Sequence, residues 1–242
     1  MLKVEKLTKY FGGLAALKDV SFEVPEGQIY GFIGPNGAGK TTLFSTIAGT
    51  YTPSSGRVVA KGKDITGTKA HELVQAGIAR THQVVRPFRA MTVLENVQVG
   101  LYFGRNHVSA RTAREQGLEV LNKVGLAHYA GRKASTLSLG EQKKLELARA
   151  LATEPDLLLC DEICGGLSPT ETQTMLALLG KIRAQGKTIM YVEHDVKAIM
   201  SVCDRVMVLN YGQKLAEGKP EEIQKDEAVI EAYLGHRGKR AA

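Results

Sequence analysis

The chain is poor in cysteine. Its 242 residues hold three, Cys160, Cys164 and Cys203, too few for the disulfide framework of a small secreted domain. Cys160 and Cys164 have no histidine or cysteine neighbours at zinc-binding spacing, and Cys160 reads as a small core residue on a buried strand. Long apolar runs are missing as well: no stretch approaches the roughly 18 residues that span a bilayer. The first residues lack the charged-then-apolar pattern of a secretory signal, and the chain holds no internal repeat or low-complexity tract. These absences predict a reducing, cytosolic setting and leave any membrane role to a partner.

What is present is the composition of a packed domain. Hydrophobic residues make up 43% and charged residues 24%, which favours a globular core over disorder. The length suits one large α/β domain, or a core with a small subdomain. A net charge of +7 is compatible with bound nucleotide, nucleic acid or an anionic membrane surface, and equally with plain solubility.

The most specific feature is Gly34-Pro35-Asn36-Gly37-Ala38-Gly39-Lys40-Thr41, a full match to G-x-x-x-x-G-K-[ST]. It follows the apolar run Ile29-Tyr30-Gly31-Phe32-Ile33 and precedes a helical pattern from Leu43 to Ala48. Strand, glycine loop and helix are the context a phosphate-binding P-loop requires. The glycines let successive backbone N–H groups face one point, and the helix start adds its positive dipole end there. Lys40 brings a full charge to the β- and γ-phosphates, and the Thr41 hydroxyl can ligate Mg²⁺. Thr42 completes the candidate nucleotide contacts.

Along the rest of the chain, residues 1–33 read as strands, with Pro25-Glu26-Gly27 turning before the P-loop strand. Residues 56–66 read as another short strand and turn. From about Val93 to Ala152 the pattern is mostly helical, and Leu118, Leu121, Val124 and Leu126 recur at helical spacing. Ser168-Pro169-Thr170-Glu171 reads as a helix start, with a Ser cap, Pro in the first helical position and Glu three residues past the cap. That helix ends near Gln185-Gly186. Thr188–Val192 is a buried strand, Ala198–Val202 a short helix, Arg205–Gly218 a hairpin turning at Tyr211-Gly212, and Glu221–Leu234 a final helix before a basic tail expected to be mobile. Strands alternating with helices around a P-loop imply a mainly parallel sheet.

Leu157-Leu158-Leu159-Cys160-Asp161-Glu162 has the form of a Walker B strand, an apolar run that delivers two acids at its C-terminal end. Asp161 would hold Mg²⁺, through water, and Glu162 would position or deprotonate the attacking water. Adjacent residues on a strand point opposite ways, so the two can act separately only if the chain bends just after Asp161.

Leu137-Ser138-Leu139-Gly140-Glu141-Gln142 opens a further helix, and here the chain resembles the ATP-binding-cassette family, whose signature is commonly L-S-G-G-Q. Ser138 and Gly140 match; Leu139 and Glu141 depart. The resemblance implies that Ser138, the Gly140 N–H and the helix start bind the γ-phosphate held by an opposite protomer. Glu141 sets a negative charge beside that point, and Gln142 can supply an amide instead. Gln83 looks like the Q-loop glutamine, whose amide can ligate Mg²⁺ and approach the attacking water. His194, after a buried strand, matches the switch histidine, which can bond a γ-phosphate oxygen and help orient Glu162. Phe11 matches the aromatic that stacks on adenine, with Tyr10 the competing choice. At Ser168 the family often has Asp.

The resemblance covers essentially the whole chain. It implies an α/β fold: a P-loop NTPase core with a mainly parallel sheet, an antiparallel β portion and an inserted α-helical subdomain. The divisions expected are 1–85 and 154–220 for the core, 86–153 for the helical subdomain with the signature, and 221–242 for the last helix and tail. Gly77-Ile78-Ala79-Arg80-Thr81, Met91 to Val97, Gly166 to Thr172 and Val229 to Gly235 are similar to the ATPase subunits of branched-chain amino acid importers; ATPases for urea or lipopolysaccharide transport are similar too. The implied cofactors are ATP and Mg²⁺. The implied partners are a second cassette, of the same or a related chain, transmembrane permeases and, indirectly, a solute-binding protein, with no nucleic acid. The expected place is the cytoplasmic face of the plasma membrane. A soluble cassette acting on nucleic acid or ribosomes and a metabolic P-loop kinase are the rival classes.

Overall fold

A computed structural model describes residues 1–106 and 108–238, with backbone alone for 234–238. The chain begins β1 (Leu2–Phe11), β2 (Leu14–Val24), β3 (Ile29–Ile33), α1 (Lys40–Ile47), β4 (Ser55–Ala60) and β5 (Lys63–Asp64). It continues α2 (Ala70–Gln75), β6 (Ile78–Arg80), α3 (Val93–Phe103), α4 (Ala110–Lys123), α5 (Leu139–Leu151), β7 (Leu157–Asp161) and α6 (Pro169–Ala184). It closes with β8 (Thr188–Val192), α7 (Val196–Val202), β9 (Arg205–Asn210), β10 (Gln213–Gly218), α8 (Pro220–Ile223) and α9 (Glu227–Gly238). Two compact units result: Met1–Ala70 with the chain from Thr188 onward, and His71–Lys187.

The first unit holds an antiparallel sheet in the order β2-β1-β4-β5. Val20, Phe22 and Val24 are buried on β2, the period-two pattern of a strand with one wet face. Beside it run β10-β9-β3-β8, with β3 parallel to both β8 and β9 and β10 antiparallel to β9. Every residue of β3 and of β8 is buried, as central parallel strands require. The β9–β10 hairpin turns at Tyr211 and Gly212, whose φ angles are 47° and 74°, the left-handed pair of a type I′ turn.

In the second unit β6 lies parallel to β7, with Ile78 opposite Leu157 and Arg80 opposite Leu159. Helix α3 packs on α4 and α5. Thr92, Ser138 and Ser168 cap α3, α5 and α6, each in a reciprocal box with the glutamate three residues on. Such boxes satisfy N-terminal amides that a helix otherwise leaves open.

Three local expectations need correction. The final helix is two: α8 ends at Ile223, and Asp226 then accepts a hydrogen bond from the Val229 N–H at 3.1 Å, the act of a fresh N-cap. Helix α2 and strand β6 lie where no element was expected. Leu118 is exposed, and Val124 and Leu126 lie past the end of α4, so the four apolar positions do not share one helix. Of the basic tail expected after Leu234, residues 235–238 continue α9 and residues 239–242 lie outside the described residues.

Candidate functional site

In the first unit, β3 ends at Ile33 and the glycine loop follows with φ of 154° at Gly34, 80° at Gly37 and 102° at Gly39. A side chain at Gly39 would meet the Ala16 carbonyl at 2.6 Å, and one at Gly34 would strike the Leu209 carbonyl. Both the left-handed backbone and the close approach therefore demand glycine. The loop is braced by its own turn, Ala38 N–H to Pro35 O at 3.1 Å, and by the hairpin, Gly212 N–H to Ala38 O at 3.0 Å. Helix α1 starts at Lys40, and its N-cap, Gly39, supplies no side-chain cap. Lys40 is buried and its Nζ donates to the carbonyls of Gly34 at 2.5 Å and Pro35 at 3.0 Å. Asn36, Gly37 and Thr41 are exposed and Thr42 is half-buried.

His194 is exposed, two residues past the end of β8. Because Phe32 pairs with Val192 in parallel register, Gly34 and His194 leave the same C-terminal edge of adjacent strands, where ligands of such sheets bind. Phe11 and Tyr10 are both exposed. The Phe11 ring meets Tyr51 edge to face at 5.2 Å, with Lys9 Nζ 5.1 Å from its centroid. Tyr233 of α9 hydrogen-bonds the Gly34 backbone, and burial pushes its hydroxyl up to about 12.

In the second unit Asp161 is the last residue of β7 and is buried. Its Oδ2 lies 2.6 Å from Arg80 Nη2, while its buried Oδ1 has no hydrogen-bond partner among the described residues. Glu162 follows with a φ of 49°, so the chain bends where separate roles for the two acids require it. Glu162 is buried too, and Gln83 Nε2 donates to its Oε2 at 2.5 Å.

Ser138 caps α5: its N–H donates to Glu141 Oε2 at 2.7 Å, and the Glu141 N–H returns to Ser138 Oγ at 3.4 Å. The Tyr129 hydroxyl chiefly holds the Glu141 carboxyl below its ordinary range; burial opposes it, and these Ser138 contacts add to the lowering. Gln142 Nε2 donates to its own Leu137 carbonyl at 2.8 Å. A side chain at Gly140 would sit 2.5 Å from the Glu171 carboxylate. Ser168 Oγ donates to Glu171 Oε2 at 2.7 Å within α6.

The glycine cradle, the uncapped start of α1 and the buried ammonium fit a polyphosphate. The open Oδ1 of Asp161 fits a hard cation, which in such sites is held by one or two carboxylates together with phosphate oxygens. Among the described residues no group of three or more His, Cys, Asp or Glu side chains could hold a metal unaided.

A family model described as ABC transporter matches residues 17–165, from β2 through the glycine loop, Gln83 and α5 to the paired acids. The chain belongs to the ABC transporter family. A second model, described as branched-chain amino acid ATP-binding cassette transporter, matches residues 213–239. The cassette is 40% identical over 97% of its length to 98% of the high-affinity branched-chain amino acid transport ATP-binding protein BraF of Pseudomonas aeruginosa. It resembles the ADP conformation of MJ1267, an ATP-binding cassette of an ABC transporter, with a TM-score of 0.89, 34% identity and coverage of 97% and 98% of the two chains. It also resembles the dimeric post-hydrolysis state of the cassette MJ0796 bound to ADP and Pi, with a TM-score of 0.81, 29% identity and coverage of 91% and 99%.

Of the residues singled out in the sequence, Phe11, positions 34–42 and His194 fall in the first unit; Gln83, Ser138, Gly140, Glu141, Asp161 and Glu162 fall in the second. Gln83 and Glu162 are in direct contact. Arg80 and Lys143 were missed. Lys143 Nζ donates to the carbonyls of Gln83 and Glu162. One signal was available: Gly140, Lys143, Leu147 and Ala150 form a helical stripe, and all four are buried.

Proposed function

We propose that this cassette is the ATP-hydrolysing subunit of an importer for branched-chain or related amino acids. The left-handed turn at Glu162, which parts its carboxylate from Asp161 and sets it against Gln83, is the observation that carries the hydrolytic reading. The likeness to BraF, a branched-chain amino acid transport protein, and the match at residues 213–239 support the solute.

Glu162 is the base that aligns and deprotonates water, with Gln83 holding its carboxylate. Lys40 leaves its own loop carbonyls for the β- and γ-phosphates, and the amides of the glycine loop and first α1 turn receive the remaining oxygens. Thr41, Asp161 and Gln83 would hold Mg²⁺, which supplies charge neutralisation on the phosphates. His194 bonds a γ-phosphate oxygen, and Phe11 stacks on adenine. Residues 1–85 and 154–220 act as the nucleotide core, 86–153 as the helical subdomain and 221–242 as its C-terminal extension.

Two cassettes face each other head to tail, and each ATP is closed over by the partner's Ser138 and Gly140. ATP contacts that exist only in the closed dimer shift the open–closed equilibrium, and hydrolysis releases it. None of the described helices is long and apolar enough to cross a membrane. The work is done on permeases, with the cassette on their cytoplasmic side and a solute-binding protein beyond them.

Affinity purification of the tagged cassette from solubilised membranes, with mass spectrometry of what it holds, tests this reading. Polytopic permease chains, and ATP-driven leucine uptake when they are reconstituted together, are expected. Recovery of ribosomal protein and RNA, with no uptake, would overturn it.

A further inference from the structure

We infer that Lys143 is a positioning residue that couples the signature helix to the hydrolytic pair. Its Nζ donates to the main-chain carbonyl of Gln83 at 2.9 Å and to that of Glu162 at 2.8 Å. These are the two residues whose side chains meet at 2.5 Å. One ammonium thus pins both backbones on which the pair depends. The inference rests on the reading of Glu162 as base and Gln83 as its holder.

The placement is costly and therefore informative. Lys143 is only 4% exposed, and a buried ammonium is disfavoured unless its donors are satisfied. A stripe position between Gly140 and Leu147 would pack more easily with leucine or methionine. What lysine offers instead is a compact charge with three donors on a flexible stem, able to reach carbonyls from two separate segments.

Neither segment is held by regular helix or strand pairing at Gln83 or Glu162. From Thr81 to Met91 the chain has neither helix nor strand, and Glu162 sits in a sparsely populated backbone region. Helix α5 holds the first segment at a second point, where Arg149 Nη1 donates to Arg86 O at 3.1 Å.

The consequence is directional. Ser138 and Gly140 lie at the start of α5, in the turn just before Lys143. A shift of α5 when that start closes on the partner's nucleotide moves the Lys143 anchor as part of the same rigid helix. Gln83 and Glu162 follow. Each chain's base is thereby set by the engagement of its own signature helix, and chemistry waits on closure.

The test compares the full cassette with K143M, which keeps the volume and removes the donors, and with K143Q, which keeps an amide donor. Three readings are taken: phosphate release under saturating MgATP, binding of a fluorescent ATP analogue, and hydrogen exchange of the amides at 83–86 and 162–165. In K143M turnover falls by about 100-fold, the scale of a misplaced reacting group, with ATP analogue affinity within about twofold of the parent. Exchange at the two segments rises by tenfold or so while β3 amides are unchanged. K143Q falls between the two proteins, and decides the matter alone if K143M does not fold. Turnover within roughly twofold of the parent in either variant, or lost turnover with both segments as protected as before, overturns the inference. E162Q, assayed alongside, keeps the readings apart: parental turnover there defeats the base assignment, whatever the exchange at Gln83 shows.

Discussion

Gln83 and Glu162 stand 79 positions apart in the chain and share a hydrogen bond of 2.5 Å. The amide donates, so the carboxylate is held as an acceptor. E162Q preserves size and leaves an amide oxygen for Gln83 to bond, but removes the carboxylate proposed as base. Phosphate release should fall by about 10²–10⁴-fold, the usual share of general base catalysis, with ATP binding retained. A dimer should then accumulate in MgATP on size exclusion. A variant that remains monomeric and hydrolyses at the parental rate would displace Glu162 from the mechanism.

The Arg80–Asp161 pair predicts a stability effect. Both side chains are largely buried, at 14% and 3% exposure. Removing one partner strands the other, so R80M should lose about 3–5 kcal/mol in urea unfolding, and R80M/D161N should recover much of it. If Asp161 holds the cation as proposed, MgATP should narrow the R80M deficit, because the cation would replace the missing charge. Equal deficits with and without MgATP would separate Asp161 from the metal.

Much of this was legible because it is local chemistry. The buried strand Thr188–Val192, the Ser168-Pro169-Glu171 helix start and the Tyr211-Gly212 turn each carry their own instructions within a few residues. So do the glycine loop and the bend after Asp161. Arg80 and Lys143 were opaque for the opposite reason. A charged side chain reads as surface until its partners are known, and theirs lie 81 positions away for Arg80 and 60 and 19 for Lys143. The break in the last helix turned on one aspartate, Asp226, whose side chain competes with helix continuation.

The three capping boxes make stability depend on acid. The Thr92 N–H and hydroxyl hold Glu95 low, the Tyr129 hydroxyl and Ser138 hold Glu141 low, and the Ser168 hydroxyl and N–H hold Glu171 low, all from an ordinary value of 4.5. A depressed folded-state pKa contributes stability that is complete above the unfolded value and lost as pH falls through the folded one. The triple variant E95Q/E141Q/E171Q should therefore melt below the parent at neutral pH, and the gap should close as pH drops below 4.5. Parallel melting curves across that range would deny the carboxylates this role.

Lys40 supplies the sharpest test of the glycine loop. Its ammonium is held by two carbonyls of its own loop, those of Gly34 and Pro35, and is buried where the proposed site would receive phosphate. K40A removes a charged donor without touching Gly34, Gly37 or Gly39, whose left-handed angles shape the cradle. Affinity for MgATP should drop by about 10–100-fold, the worth of one or two hydrogen bonds to a charged group, and turnover should fall with it. The backbone amides remain, so residual binding is expected rather than none. Calorimetric titration of K40A with MgATP measures the difference, and an affinity within about twofold of the parent would place the phosphates away from this loop.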